Sequence, residues 1–204
     1  MVDLFPKNHM VLTEISPPDF DVELQIVYST SDNFTEEPIY ARSGCYLHQD
    51  AAERLCKSVK LAASLGLRLK IFDAFRPSEA QWALWRHTPD SDFLADPRHG
   101  SPHSRGVAVD LTLLDSSGAA LEMGTAFDAF TPLSHHGSME VSAKAQHNRH
   151  LLLGIMTTAG WDFYQNEWWH YQLFKTQNYE LLSDSDLPVS MMRPHAHKRE
   201  KIQK

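Results

Sequence analysis

The chain has 204 residues, 42% of them hydrophobic and 22% charged. A single globular domain of this length buries about 70% of the surface its unfolded chain exposes, so it needs no disulfide or structural metal to fold; collagen-like, coiled-coil and wholly disordered chains are excluded. The balance of 19 Lys plus Arg against 26 Asp plus Glu gives a net charge of −7, which argues against nucleic acid or an anionic membrane as partner, because both need a basic footprint.

Residues 1–20, with Pro6, Pro17 and Pro18, read as an irregular arm. They lack a cationic segment followed by an apolar one, so no secretory signal is expected and the cytoplasm is the expected compartment. Leu24 to Tyr28 reads as a short strand, and Ser29 to Asn33 as a polar turn. Cys45 and Cys56 are the two cysteines and form no C-x-x-C pair. They read as reduced thiols, buried or half-buried, and not as a disulfide framework or a zinc site. From His48 to Leu65 the apolar residues Ala52, Leu55, Val59, Ala62 and Ala63 recur at helical spacing, with Gly66 as the stop.

Leu67 to Phe75 alternates as a half-buried strand and ends at Arg76-Pro77. Pro77 suits the start of a helix that continues from Ser78 to His87. Thr88 to Pro102 reads as a loop. Gly106 to Leu114 is the clearest strand: Val107, Val109, Leu111 and Leu113 share one face, and Ala108, Asp110 and Thr112 the other. Asp115 to Gly118 is a turn, and residues 123–141 are loop-like. Ala143 to Ala159 is a second long helix ended by Gly160. Its apolar run, Leu151 to Met156, is far shorter than the ~18 residues of a membrane span. Trp161 to Tyr164 and Trp168 to Phe174 read as a hairpin. From Asp184 the chain turns polar and locally basic, which predicts one domain over 1–183 and a C-terminal tail over 184–204. Helices and strands alternate too irregularly for a parallel βαβ sheet. The pattern favours an α+β fold with a central, mainly antiparallel sheet flanked by helices.

With 12 histidines in the chain, each needs context before it counts. His103 leaves a loop just before the strand that carries Asp110. Asp110 lies opposite the aliphatic stripe, fixed on rigid backbone. A carboxylate buried there needs a cation or several hydrogen bonds, and zinc accepts both His nitrogen and Asp oxygen. The other reading is a solvent-facing aspartate beside a loop histidine. Glu167-Trp168-Trp169-His170 supplies a second histidine. Residues three apart on a strand face opposite ways, so Glu167 reaches the same site only from the turn or bulge that opens the strand. In that position it serves more naturally as a base than as a ligand. The other reading is a strand-start glutamate and a core histidine bonded to backbone. His103, Asp110 and His170 together make three ligands, which leaves zinc a position open for water, the pattern of a catalytic site. In Asp73-Ala74-Phe75-Arg76-Pro77, Arg76 at a strand end is either an oxyanion stabiliser or a surface arginine.

The S-x-H-x-x-G-x-A-x-D stretch from Ser101 to Asp110, the E-W-W-H stretch from Glu167 to His170 and the D-x-x-R-P stretch from Asp73 to Pro77 resemble the D-alanyl-D-alanine dipeptidases, zinc enzymes of the D-Ala-D-Ala metallopeptidase group. Tyr28 to Phe34, Met123 to Asp128 and Ser134 to His136 extend the resemblance in the same order. It implies the D-Ala-D-Ala metallopeptidase/hedgehog-like fold and one zinc ion per chain, bound by His103, Asp110 and His170. It implies Glu167 as general acid/base and Arg76 as the group that stabilises the transition state. Ser101, Asp128 and Tyr28 are implied to hold a zwitterionic dipeptide, the small-molecule partner. With three ligands assigned, His135 and His136 read as structural or as supports behind the ligands. Phe75, in place of a tyrosine, and Glu36-Glu37, in place of a glycine, depart from the family pattern at pocket walls. The alternatives carried forward are a D,D-carboxypeptidase or endopeptidase acting on cell-wall peptides, and a non-catalytic zinc-containing binding module.

Overall fold

The computed structural model describes residues 11–194, so the first ten residues of the expected arm and the last ten of the expected tail lie outside the described residues. The rest of the arm is more regular than its prolines suggest. β1 (Leu12–Glu14) pairs antiparallel with β3 (Tyr46–His48) in a small two-stranded sheet. Three-residue strands leave no period to read.

The main sheet has five strands, ordered β2 (Val22–Leu24), β4 (Arg68–Asp73), β5 (Ala108–Leu114), β7 (His170–Gln172) and β6 (Asp162–Phe163). β2 runs parallel to β4, and the remaining neighbours are antiparallel. The sheet is therefore mixed, within an α+β fold. The strand expected over Leu24 to Tyr28 lies earlier, at β2, and Val27–Ser29 form a 3₁₀ turn instead. The turn buries Tyr28 completely; a short apolar run does not distinguish the two geometries.

α1 (Gln49–Ser64) follows β3 directly, and the His48 ring caps it by accepting from the Asp50 N–H at 3.2 Å. Ala52, Leu55 and Ala62 are buried on one side of it, as the three- and four-residue spacing predicts. α2 (Ser78–His87) follows Pro77 as expected. α3 (Ala143–Ala159) packs against α1, and Ser142 caps it by accepting from the Ala145 N–H at 3.0 Å. Val109, Leu111 and Leu113 of β5 join Leu55, Leu152 and Met156 in one core. Each fully buried leucine there contributes roughly 1.5–3 kcal/mol. With that face of β5 filled, Asp110 is left on the other.

Gly106 brings the chain from His103 into β5. Its φ is +69°, and a Cβ there would stand 2.6 Å from Leu12 Cδ2 and 3.1 Å from the His48 nitrogen. Gly106→Ala is expected to destabilise the protein by about 1–3 kcal/mol, from left-handed strain and the clash. The measurement is the urea midpoint at constant slope; an unchanged midpoint would show that the turn accommodates a methyl.

The segment expected to leave the domain at residue 184 is packed on the body through residue 192. The Leu182 N–H donates to Ser104 O at 2.8 Å, and the Ser78 hydroxyl donates to Leu182 O at 2.7 Å. Asp184 is buried, and its carboxylate accepts from the Met191 and Met192 N–H groups at 2.7 and 3.1 Å. The Ala41 N–H then donates to Met191 O at 2.8 Å. The polar composition of this stretch concealed a buried aspartate that folds two methionines back onto the core.

Candidate active site

Three neighbouring strands align the site. Asp110 on β5 stands opposite His170 on β7 and opposite Asp73 on β4. Directly opposed residues share a face, so all three project to the same side. Asp73 reaches that side only through a register shift between Ile71 and Asp73. Without it, alternation would leave Asp73 on the aliphatic face with Leu69 and Ile71. An irregularity of this kind re-aims a side chain in the way β-bulges commonly do. His103 arrives from a 3₁₀ turn just before β5.

The partners of the ring nitrogens fix which of them face inward. His103 Nδ1–H donates to Ala74 O at 2.7 Å, and His170 Nε2–H donates to Gln172 Oε1 at 3.0 Å. The inward nitrogens are therefore His103 Nε2 and His170 Nδ1, 3.1 Å apart. They lie 3.3 and 3.1 Å from the two Asp110 oxygens. Two imidazole lone pairs and a carboxylate, all buried and facing one another, repel unless a positive charge sits among them. Outward N–H bonds that fix the tautomer are also the usual support of metal-bound histidines. The donor set thus fits a divalent cation, and His103, Asp110 and His170 are the group that can hold one among the described residues. Burial alone would raise the Asp110 carboxyl, but positive charge on the His103 and His170 rings, when they carry the proton that a metal ion would replace, holds it well below the usual carboxylate range. Burial would lower the His170 ring, and Asp110 raises it instead.

Arg76 is buried beside this cluster. Its Nε donates to Asp73 Oδ2 at 2.8 Å, Nη1 to Gln81 Oε1 at 3.0 Å and Nη2 to Asp110 Oδ2 at 3.5 Å. The Asp73 carboxylate also accepts from the Tyr40 hydroxyl at 2.9 Å. Arg76 is therefore a locked cation, not the surface arginine of the alternative reading. Three of its five N–H donors are committed, which leaves two.

Glu167 lies in the turn that opens β7, as the face argument requires, and its Oε2 is 3.8 Å from His170 Nδ1. Burial pushes its carboxyl up to about 8; His170 pulls the other way, and Asp110 and Asp128 add to the rise. Half-buried Asp128 has a left-handed φ of +57° and accepts from the Tyr28 hydroxyl at 2.8 Å. Its carboxyl is likewise pushed up to about 8 by burial, with Asp110 adding. Ser101 is buried, and its Oγ accepts from the His103 N–H at 3.2 Å, which fixes the start of the His103 turn.

All eight residues anticipated for the site line one cleft of about 330 Å³, with Phe93, Leu94 and Tyr164 among its walls. That volume suits a small ligand. His136 stands apart from the cluster, packed on Phe163 at 5.0 Å. The sequence reading missed Asp73, Gln81 and Gln172 as supports of the site. Gln172 was detectable, because strand alternation puts it on the His170 face. Asp73 was not, because alternation points it the wrong way.

A buried His–Asp–His group that can hold a cation, with a raised carboxyl and a fixed guanidinium sharing its cleft, has the make-up of a metal-dependent hydrolase. The D-ala-D-ala dipeptidase family model matches residues 9–186. The D-alanyl-D-alanine dipeptidase of Escherichia coli is 44% identical over 164 residues, covering 80% of this chain and 85% of that protein. Those of Enterococcus faecium and Streptomyces coelicolor are 34% and 32% identical over 168 residues, each covering 72% of this chain and 83% of the relative. The chain belongs to the D-ala-D-ala dipeptidase family, and it is a metallo-dipeptidase.

Proposed function

We propose that the protein hydrolyses D-alanyl-D-alanine to two molecules of D-alanine, with zinc held by His103, Asp110 and His170. The observation that carries this reading is the convergence of His103 Nε2, His170 Nδ1 and the Asp110 oxygens with Glu167 beside them in one small cleft. When bound, zinc supplies Lewis-acid polarisation of the scissile carbonyl and a lowered water pKa.

The chain's own groups do the rest. Glu167 takes a proton from the attacking water and returns it to the leaving amine. Its elevated pKa suits both halves of that exchange. The uncommitted N–H groups of Arg76 donate to the oxygen that gains negative charge. Tyr28 orients Asp128, whose half-buried carboxyl is costly to ionise alone and is relieved by an incoming ammonium. Ser101 donates its hydroxyl proton to the dipeptide. The fold is the D-Ala-D-Ala metallopeptidase/hedgehog-like fold of the group. Free Cys45 and Cys56 support a reducing cytoplasm, where free dipeptide is consumed in cell-wall metabolism.

The test is a panel of D,D-, L,D-, L,L- and N-acylated dipeptides, assayed with and without chelator. D-Ala-D-Ala is expected to be the best substrate. Acylation removes the ammonium that Asp128 pairs, and is expected to lower kcat/KM by about 10²-fold or more. Equal turnover of the acylated dipeptide would favour the carboxypeptidase reading. No hydrolysis of any member by zinc-loaded protein would favour a binding module.

A further inference from the structure

Arg149 is a buried cation with no carboxylate partner among the described residues. It sits on α3, 3% exposed. Its Nε donates to Met123 O at 2.6 Å, and its Nη1 to Leu133 O at 2.8 Å and His135 O at 3.2 Å. Nη2 has no hydrogen-bond partner. Its guanidinium carbon also stands 6.0 Å from the centroid of the Trp168 ring, but burying a guanidinium with no anion beside it is costly. What it holds is informative: the three carbonyls are the two ends of one loop, residues 123–135, and that loop carries Asp128.

The loop is pinned elsewhere to the same part of the protein. Gly124 has φ +83°, and a Cβ there would stand 2.8 Å from Val141, so the loop lies close against the start of α3. The Trp168 indole N–H donates to Thr125 Oγ1 at 2.8 Å, and the Trp168 backbone N–H to Ser134 O at 3.0 Å. Trp168 directly follows Glu167. At the far end of this frame Asp128 keeps its left-handed backbone, a conformation that persists in a non-glycine residue only when its surroundings enforce it.

We propose that Arg149 is a positioning residue for substrate binding: by clamping both ends of loop 123–135 it holds Asp128 where the substrate ammonium arrives. The inference rests on the reading of Asp128 as the ammonium partner. A planar fork spans separated carbonyls as an ammonium on a flexible stem does not, so lysine fails as a substitute although it keeps the charge. Arg76 and the cation ligands sit on other elements, and the loop meets the Glu167 segment only through Trp168, so KM is the parameter the clamp moves most.

The test is a double-mutant cycle with D-Ala-D-Ala on zinc-loaded protein: Arg149→Lys, Asp128→Asn and the pair, with bound zinc and melting temperature measured for each. Arg149→Lys is expected to raise KM about tenfold or more while kcat stays within about threefold and zinc content is unchanged. In the Asp128→Asn background the same change is expected to add little, because both act on one contact. Thr125→Val loosens the same loop from Trp168 without touching the buried charge, and carries the same expectation if Arg149→Lys does not fold. An unchanged KM, a fall in kcat that tracks zinc loss, or full additivity with Asp128→Asn would overturn the proposal. If Asp128→Asn itself leaves KM unchanged, the ammonium-binding reading fails, and the proposal falls with it.

Discussion

Glu167→Ala is expected to retain its metal ion and to lose about 10²–10⁴-fold in kcat, the usual worth of a positioned general base. Retention follows from the geometry. Glu167 Oε2 stands 3.8 Å from His170 Nδ1, whereas the Asp110 oxygens are the ones that face both imidazoles. On the proposed mechanism, removing Glu167 takes away the proton acceptor and leaves the ligand set whole. The pH profile supplies an independent readout. Burial raises the Glu167 carboxyl from 4.5 to about 8 before any cation binds. A bound cation then pulls it down. The base must be ionised, so activity is expected to fall as pH drops through a pKa between those limits. Glu167→Gln is expected to abolish that acidic limb along with the activity. A variant that turns over normally with full metal content would show that another group moves the proton.

Removal of the cation is the second large effect. Chelation is expected to abolish hydrolysis and to lower the melting temperature, with zinc restoring both. Any ligand that binds only the folded state stabilises it by about 2.7 kcal/mol at 100 times its dissociation constant. The relief of repulsion between the inward-facing lone pairs is part of that binding energy. Asp110→Asn is expected to mimic the chelated enzyme. It removes the anion that both imidazoles and Arg76 Nη2 face. Its activity is expected to fall below detection, and its melting temperature to lose its response to zinc. An Asp110→Asn protein that still melts higher with zinc would place the binding site elsewhere.

Much of the site was legible because the sequence writes it on regular elements. α3 occupies Ala143–Ala159 as its periodicity predicts, and the same reasoning put Asp110 on the face of β5 that its aliphatic neighbours leave free. Glu167 was assignable to a turn because residues three apart on a strand cannot face the same site. The rest depended on interactions between distant segments. The shift at Ile71/Asp73 leaves no trace in the alternation of β4, so the carboxylate that holds Arg76 was not found. Asp184 looks like the start of a polar tail until Met191 and Met192 fold back onto it. Arg149 went unnoticed, since the carbonyls it serves lie 14–26 residues away in the chain. The parallel pairing of β2 with β4 was hidden too, because α1 and a short strand intervene.

The level alignment of Asp73, Asp110 and His170 across three strands ties assembly to chemistry. Sliding any of these strands by one residue turns its side chains to the opposite face, which would send Asp110 toward the leucines or His170 away from its partners. A misregistered sheet therefore has no place for the ion, and the ion adds its binding energy only to the correctly paired one. The cofactor acts in this way as a proofreader of the fold, rewarding only the arrangement of strands that can also do the work.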